Sequence, residues 1–208
     1  MATDTRNRMI STTARLIQER GLHGVSMRDI LAESGAPRGS LYFHFPGGKE
    51  ALVHEAMRIG IDEATRVLRE CLDHAEHPAE GVRAFFRAAT DEMVASGYAF
   101  GCPVAPIVLD APGFESELAA TCKTAFREWT DMYQGALVDA GMEPDSAATL
   151  ARMIVASLEG ALIMARSERD AACITQVGEE VAALIDARVS RGQESAVPNP
   201  ARAASRPS

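Results

Sequence analysis

The sequence predicts an all-α protein. Across its 208 residues, apolar side chains recur at three- and four-residue spacing, and no stretch alternates with period two for long enough to make a strand. Aromatic residues make up only 5% of the chain, whereas alanine and leucine, both strong helix formers, are abundant. A hydrophobic content of 47% and a charged content of 24% are typical of globular proteins, which excludes a largely disordered chain.

The first fifty residues predict three helices. The first is expected over Thr5–Arg20, with Gly21 as the residue that ends it. The second is expected over Ser26–Ser34, because Ser26 and Asp29 have the spacing of a capping box. The third is expected over Pro37–Phe43, since proline suits the first turn of a helix.

The remaining sequence predicts five longer helices. Their expected ranges are 49–75, 78–96, 114–140, 144–167 and 170–189, and a loop with one short helical turn is expected within 97–112. We therefore expect a first domain over residues 1–48 and a larger helical domain over residues 49–190. Residues 191–208 are rich in Ser, Ala, Pro and Arg, which predicts a disordered tail.

The charge is divided unevenly along the chain. The net charge of −8 excludes a uniformly basic nucleic-acid binder. Residues 1–50 nevertheless contain seven basic side chains against five acidic ones, whereas residues 51–189 contain eleven against twenty-three. A basic first domain on an acidic second domain indicates an anionic partner for the first.

The sequence gives little sign of a membrane span, a leader, a metal or a cofactor. We find no apolar run of about 18 residues and no charged-then-apolar leader, and we expect a cytoplasmic protein. The four cysteines lie far apart without a CxxC pair, so buried thiols are expected. Cys71, His74 and His77 have a spacing at which two or three could share a metal ion, but both histidines are expected to face water, so no metal site is predicted.

The second and third helices have the pattern of a helix-turn-helix, because a tight turn at Gly35 and Ala36 joins them. Arg38, Gly39 and Ser40 then lie in the first turn of the later helix, where a recognition helix contacts base edges in the major groove of DNA. Arg38 could bond to guanine, Ser40 could donate or accept, and Gly39 allows close approach. A three-helix cap with solvated arginines is the alternative.

Phosphate contacts are expected around this helix. Tyr42, His44 and Lys49 follow it, and Lys49 stands at a predicted helix N-terminus, where backbone amides also attract anions. Ser26 and Arg28 open the preceding helix and could contact the opposite strand.

Three stretches resemble the N-terminal domain of TetR-family transcriptional regulators: GVSMRDI at 24–30, GAPRGSLYFHF at 35–45 and KEAL at 49–52. The resemblance covers about residues 8–57. It implies a two-domain, all-α, homodimeric repressor whose C-terminal domain binds a small molecule. The stretches PGGK at 46–49 and GCPVA at 101–105 resemble the multidrug-responsive LmrA-like branch. Pro37 stands where the family more often has a hydroxyl residue, so one hydroxyl–phosphate contact is missing.

The last two predicted helices have the pattern of a dimer interface. The last repeats apolar residues at 3-4-3 spacing, and the one before it is apolar nearly all round, which predicts burial on both sides. An intramolecular core accounts for part of this pattern, and the family resemblance implies a second subunit for the rest. The predicted interface residues are Leu150, Ile154, Leu158, Leu162, Ile174, Val177, Val181 and Leu184.

The helices expected at 78–96 and 114–140 contain stripes of methionine and aromatic residues. Such stripes are more often plain core than a ligand site, but Trp and Tyr have polar groups that can orient a ligand. The predicted ligand-binding residues are Phe86, Met93, Cys122, Phe126, Trp129 and Tyr133.

Together these observations predict a ligand-responsive transcriptional regulator, and specifically a repressor. We expect it to bind a pseudo-palindromic operator in double-stranded DNA as a homodimer, and to be released by a small, mainly apolar effector. One alternative is a helical dimerisation or adaptor module without sequence-specific DNA binding. The other is a small-molecule enzyme, which the sequence disfavours because it contains no nucleophile elbow, phosphate-cradling loop or HExxH motif.

Overall fold

The computed structural model describes the backbone of residues 2–110 and 117–196, and the side chains of residues 4–110 and 117–190. The all-α prediction is confirmed: within the described backbone the regular elements are helices, and no strand is found. The helices are α1 (Ala2–Arg20), α2 (Met27–Ser34), α3 (Arg38–His44), α4 (Gly48–Asp73), α5 (Pro78–Ala95), α6 (Ala105–Asp110), α7 (Glu117–Asp139), α8 (Pro144–Glu168) and α9 (Ala172–Ala196).

The predicted helices differ from the observed ones chiefly at their ends. The predicted start of α7 at Phe114 lies outside the described residues. α9 continues to Ala196, so the tail predicted over residues 191–208 is helical in its first six residues. The physical reason is that residues 190–197 contain no proline, and most of the residues between 190 and 196 are compatible with a helix. The rest of that tail, residues 197–208, lies outside the described residues.

The capping box of α2 forms as predicted. The Ser26 hydroxyl accepts a hydrogen bond from the Asp29 N–H at 3.2 Å, and the Asp29 carboxylate accepts one from the Ser26 N–H at 3.0 Å. The hydrogen bonds from Ser26 lower the pKa of Asp29. Gly35 ends the helix in the left-handed conformation with a φ of 63°, which fixes the turn into α3.

α1, α2, α3 and the start of α4 share one apolar core. Leu16 of α1, Ile30 of α2, Leu41 of α3 and Leu52 of α4 are all buried in it. The short α2 and α3 are therefore held by tertiary packing, since helices of eight and seven residues are marginal on their own. We call α1–α3 the head and the part of the chain from α5 onward the body.

α4 joins the head to the body. At 1.5 Å per residue its 26 residues span about 39 Å. Near its start, Glu55 is in an ion pair with Arg6 of α1 at 2.6 Å. Further along, the buried Thr65 accepts a hydrogen bond from Trp129 of α7 at 2.8 Å. The buried residues of head and body form one cluster, so the two parts share a continuous core.

The body is a bundle in which α5 packs against α9, and α7 and α9 both pack against α8. The approach of α5 to α9 is close because a Cβ at Gly178 would lie only 2.7 Å from the Cβ of Phe86. Leu150 and Ile154 of α8 are fully buried.

The expectation that the chain contains no long apolar segment is wrong for α8. By length and composition it is apolar enough to cross a membrane, with a mean hydropathy of 1.5 over an 18-residue window, although the sequence analysis expected no such run. Small residues such as Ala151, Ala161 and Ala165 are interleaved with the larger ones and are buried against the neighbouring helices. Part of the apolar composition of α8 thus serves helix packing within the protomer, whereas Met153, Ile163 and Met164 are exposed.

The hydrogen bond between Thr65 and Trp129 gives a test of how α4 is held to the body. In the Thr65→Val variant the buried indole N–H would lose its acceptor, so the free energy of unfolding should fall by about 1–3 kcal/mol. Urea unfolding at fixed protein concentration, followed by Trp129 fluorescence, measures it. Thr124→Val is the matched control because the Thr124 hydroxyl is exposed on α7. Equal stability of the two variants would contradict this role.

Candidate functional site

The cations of the head fall into two groups. Four arginines are in ion pairs with acidic residues of the same chain: Arg6 with Glu55, Arg8 with Asp4, and both Arg15 and Arg20 with Glu33. Arg28 and Arg38 are exposed, and neither is in an ion pair with any residue that the structure describes. These two arginines stand near the N-termini of α2 and α3, the two helices of the helix-turn-helix.

The surface of α3 is open to a partner. Tyr42 is 70% exposed and Phe43 is 77% exposed, which is unusual for aromatic side chains. A Cβ at Gly39 would meet no atom within 4 Å, so nothing in the described part of the chain requires a glycine there. The Ser40 hydroxyl donates to the carbonyl of Pro37 at 2.6 Å, which leaves its oxygen free to accept. His44 is half-buried beside Phe43.

Two residues expected at phosphates have structural roles instead. The Ser26 hydroxyl is engaged in the capping box with Asp29. The Lys49 ammonium donates to the carbonyl oxygens of Leu22 and Val25, and so ties the start of α4 to the α1–α2 loop. Phosphate contacts by these side chains stay a prediction, and their polar atoms already have partners within the chain.

The α1–α2 loop is also bonded to the body, and we call these contacts the junction. The Asp110 carboxylate at the end of α6 accepts from the Leu22 N–H at 2.7 Å. The Arg166 guanidinium of α8 donates to the carbonyls of Gln18 and Glu19, both at 2.9 Å. Sequence reasoning missed the junction, because Asp110 and Arg166 have no local pattern that identifies their distant partners.

The body encloses a cavity of about 330 Å³, which we call the central cavity. It lies among α4, α5, α7 and α8, with the 100–103 segment on one side. Of the predicted ligand-binding residues, Met93, Trp129 and Tyr133 line it. Tyr133 is 2% exposed, and its hydroxyl has no hydrogen-bond partner in the described structure.

The other three predicted ligand-binding residues do not line the central cavity. Phe86 faces α9 and packs on Gly178, whereas its neighbour Phe85 lines the cavity. Cys122 contacts the sulfur of Met57 at 3.6 Å in the core. Phe126 packs edge-on against Trp129 from outside the lining. Their ligand-binding role stays a prediction that this cavity does not support, because helical spacing alone does not say which apolar side a cavity adjoins.

Two polar cavity residues were missed. Glu159 of α8 and Cys102 line the cavity together and are hydrogen-bonded to each other. Burial raises the pKa of Glu159, and burial together with the charge of Glu159 raises the pKa of the Cys102 thiol. The only sequence signal for Glu159 is an acidic residue in the midst of the otherwise uncharged stretch 153–165 of α8.

The predicted dimer residues lie mostly on the side of the helices that faces the protomer core. Six of them are buried within the protomer: Leu150, Ile154, Leu158, Leu162, Ile174 and Val181. Val177 and Leu184 are half-buried. The exposed face of α8 instead presents Met153, Ala156, Gly160, Ile163 and Met164. The 3-4-3 spacing marked the side of the helices that faces the core.

The thiols and histidines show no sign of metal or redox chemistry. Among the described residues no group of three metal-ligating side chains lies together. The His74 ring nitrogen bonds to the Glu70 carbonyl at 2.7 Å, and the His77 ring accepts from the Ala79 N–H at 3.3 Å. Burial raises the pKa of Cys71 and Cys173, which favours the less reactive thiol form.

Comparison with known families places both regions of the chain. Residues 9–56 match the family of bacterial regulatory proteins called tetR, and residues 78–180 match the C-terminal domain of LmrA/YxaF-like transcriptional regulators. Among curated relatives, a helix-turn-helix regulator of Mycobacterium tuberculosis is 34% identical over 171 residues, which are 79% of this chain and 86% of the relative. The transcriptional regulator LmrA of Bacillus subtilis is 28% identical over 182 residues, which are 88% of this chain and 97% of LmrA.

Solved structures share the fold. A TetR-family regulator from Streptomyces coelicolor superposes with a TM-score of 0.80 at 20% identity, covering 91% of this chain and 92% of that one. The regulator CifR was solved as a cysteine mutant with 26 bp of double-strand operator DNA. It superposes with a TM-score of 0.74 at 20% identity, covering 85% of this chain and 94% of that one. The relatives are transcriptional regulators and not enzymes. This chain therefore belongs to the TetR family of transcriptional regulators, with a helix-turn-helix DNA-binding domain and an LmrA/YxaF-like C-terminal domain.

Proposed function

We propose that this regulator is a cytoplasmic repressor that binds a pseudo-palindromic operator as a homodimer and releases it when a small, mainly apolar effector enters the central cavity. The observation that carries the DNA assignment is the pair Arg28 and Arg38, exposed cations without an acidic partner on the two helices of the helix-turn-helix. Relatives named as repressors, such as KstR2 of Mycolicibacterium smegmatis, and the operator complex of CifR support it.

The site divides into base-reading and phosphate-contacting parts. Arg38 and Ser40 are assigned to base edges, with the Ser40 oxygen as acceptor, and Gly39 lets the backbone come close. Arg28, Tyr42 and His44 are assigned to phosphates. Lys49 and Ser26 act indirectly, by holding the α1–α2 loop and the start of α2 in place. The acidic body is repelled by the duplex, so only the heads approach it.

The homodimer is assigned to the exposed faces of α8 and α9. Small residues such as Ala156 and Gly160 stand there beside the larger apolar Met153 and Met164, so a partner helix could approach closely. Dimerisation matters because two recognition helices must lie about 34–36 Å apart to contact successive turns of the major groove. The distance between the two heads therefore decides the affinity for the operator.

The junction supplies a route from the effector to the heads. Glu159 lines the central cavity, and Arg166 stands seven residues later on the same helix, about 10 Å along its axis. A bound effector that displaces α8 would displace the Arg166 bonds to the end of α1 as well. For release, the effector must bind better to the conformation whose heads are wrongly spaced.

Arg38 can be tested for base recognition. A duplex selected by the wild-type protein from a random pool supplies the operator, and a scrambled duplex supplies the non-specific reference. Arg38→Ala should reduce the preference for the selected duplex by about 10- to 100-fold, because one bidentate base contact is lost. The control Arg127→Ala, an exposed arginine of α7, should keep that preference. An unchanged preference in Arg38→Ala would refute the base contact.

Gly39→Ala separates DNA approach from stability. The added methyl meets open space, so the melting temperature should not fall, whereas affinity for the selected duplex should drop about tenfold or more by steric exclusion. Gly135→Ala is the control, since Gly135 on α7 also has open space around its Cβ position. Mobility shift and thermal unfolding measure the two effects. Wild-type DNA affinity in Gly39→Ala would exclude close approach at α3.

Met164→Glu tests the dimer. Met164 is 51% exposed on α8, and a carboxylate there would be buried without a partner at the proposed interface. Sedimentation should show a shift towards monomer and a loss of cooperative operator binding. Val94→Glu alters a residue of similar exposure, 54%, on α5 and should leave the dimer intact. A Met164→Glu protein that stays dimeric would show that the interface lies elsewhere.

A further inference from the structure

The charges that line the central cavity are all of one sign. Three carboxyl groups, those of Glu63, Glu92 and Glu159, line it, and in the described part of the chain no Lys, Arg or His does. Glu63 is already neutralised, because Arg66 donates to it at 2.6 Å on the outer side of α4. Glu92 and Glu159 are in no ion pair with a described residue.

Glu159 is the inner one of these two unpaired acids. Its side chain stands between buried Leu158 and Leu162, and its described polar neighbour is the Cys102 thiol, a weak hydrogen-bond donor. Glu159 is in no ion pair with a described residue, and loss of water raises the pKa of its carboxyl. A cation inside the cavity would supply a positive charge and favour the ionised form.

A second, independent observation also points to a ligand. Tyr133 is 98% buried at the cavity wall, as its exposure of 2% shows, and its hydroxyl has no partner in the described structure. A buried hydroxyl without a hydrogen bond costs about 1–3 kcal/mol relative to a satisfied one. A polar group of a bound molecule would satisfy it. Tyr133 also lines the central cavity, which is where a bound molecule would meet it.

The rest of the lining suits an organic cation with an apolar body. Aromatic rings of Phe85, Phe100 and Trp129 line the cavity, and ring faces attract cations as well as apolar groups. A cavity of about 330 Å³ is at the lower end of the range for drug-sized ligands. Negative charge, aromatic walls and modest volume together describe a compact amine or ammonium ion.

We propose that the effector is a lipophilic organic cation, whose positive charge pairs with Glu159 and whose apolar part lies against Trp129 and the neighbouring aromatic rings. This proposal rests on the proposed function, in which the central cavity is the effector site. Glu92 is exposed at the rim of the cavity and attracts the cation to its entrance. Glu159 then fixes the charged end inside.

Three probes with one biphenyl skeleton test the proposal on the full-length protein. They are the biphenylmethyl-trimethylammonium ion, its uncharged isostere neopentylbiphenyl, and the biphenylacetate anion. Quenching of Trp129, the single tryptophan of the chain, reports binding at the cavity wall. The cation should bind most tightly and the anion least. In Glu159→Gln the affinity for the cation should fall by about 10- to 100-fold, whereas that for the neutral isostere should change less than threefold.

Two further variants distinguish a loss of ligand binding from a loss of folding. Glu76→Gln removes an exposed acid outside the cavity and should leave the binding of all three probes unchanged. Tyr133→Phe removes the unsatisfied hydroxyl, so it should keep or raise the melting temperature. It should weaken a dimethylammonium analogue, whose N–H can donate to that hydroxyl, more than the trimethylammonium ion.

The outcomes separate the two proposals. If the neutral isostere or the anion binds as tightly as the cation, or if Glu159→Gln leaves cation affinity unchanged, the cation proposal is overturned and the cavity remains an effector site. If no probe binds, the cation proposal falls too. If the cation binds through Glu159 but leaves the selected duplex bound, cation recognition is supported and the release step of the proposed function fails.

Discussion

The attachment of the α1–α2 loop determines how the rest of this regulator can work. Lys49 holds the loop to α4, Asp110 holds it to α6, and Arg166 holds the end of α1 to α8. These are hydrogen bonds to backbone groups, several of them from charged side chains, and such bonds are stronger than neutral ones. Because the loop precedes the helix-turn-helix directly, these bonds connect the helix-turn-helix to the helices of the body.

Local patterns in the sequence were sufficient for the elements and for the head. Ser26 with Asp29 predicted the start of α2, and Gly35 predicted its end, because capping depends on residues a few positions apart. The functional surfaces were predicted less well. The place of Lys49 at a helix N-terminus predicts a phosphate contact, but its carbonyl partners lie 24 and 27 residues earlier, and no spacing rule identifies them. Exposure of Arg38 and Gly39, by contrast, follows directly from their place in the first turn of α3.

The body shows why apolar periodicity is ambiguous in a bundle. α8 has apolar residues on nearly all sides, and the sequence could not tell the side that faces the protomer core, with Ile154, from the side that is exposed, with Met164. The same ambiguity explains why Phe86, and not its neighbour Phe85, is predicted to bind the ligand. Phe85 lines the central cavity, whereas Phe86 packs on Gly178. Polar residues in apolar surroundings, such as Glu159, are the better guide, since burial of a charge has a cost that packing alone does not explain.

The unsatisfied hydroxyl of Tyr133 bears on how this protein can evolve. A phenylalanine at this position would fill the same space without leaving a polar atom unpaired, so drift under selection for stability alone would replace the tyrosine. A tyrosine is expected at this position where a bound molecule uses the hydroxyl. Across relatives, the residue at this position should therefore vary with the chemistry of the effector and not with the growth temperature of the organism. The residue at this one position would then differ between lineages according to the compounds that each lineage detects.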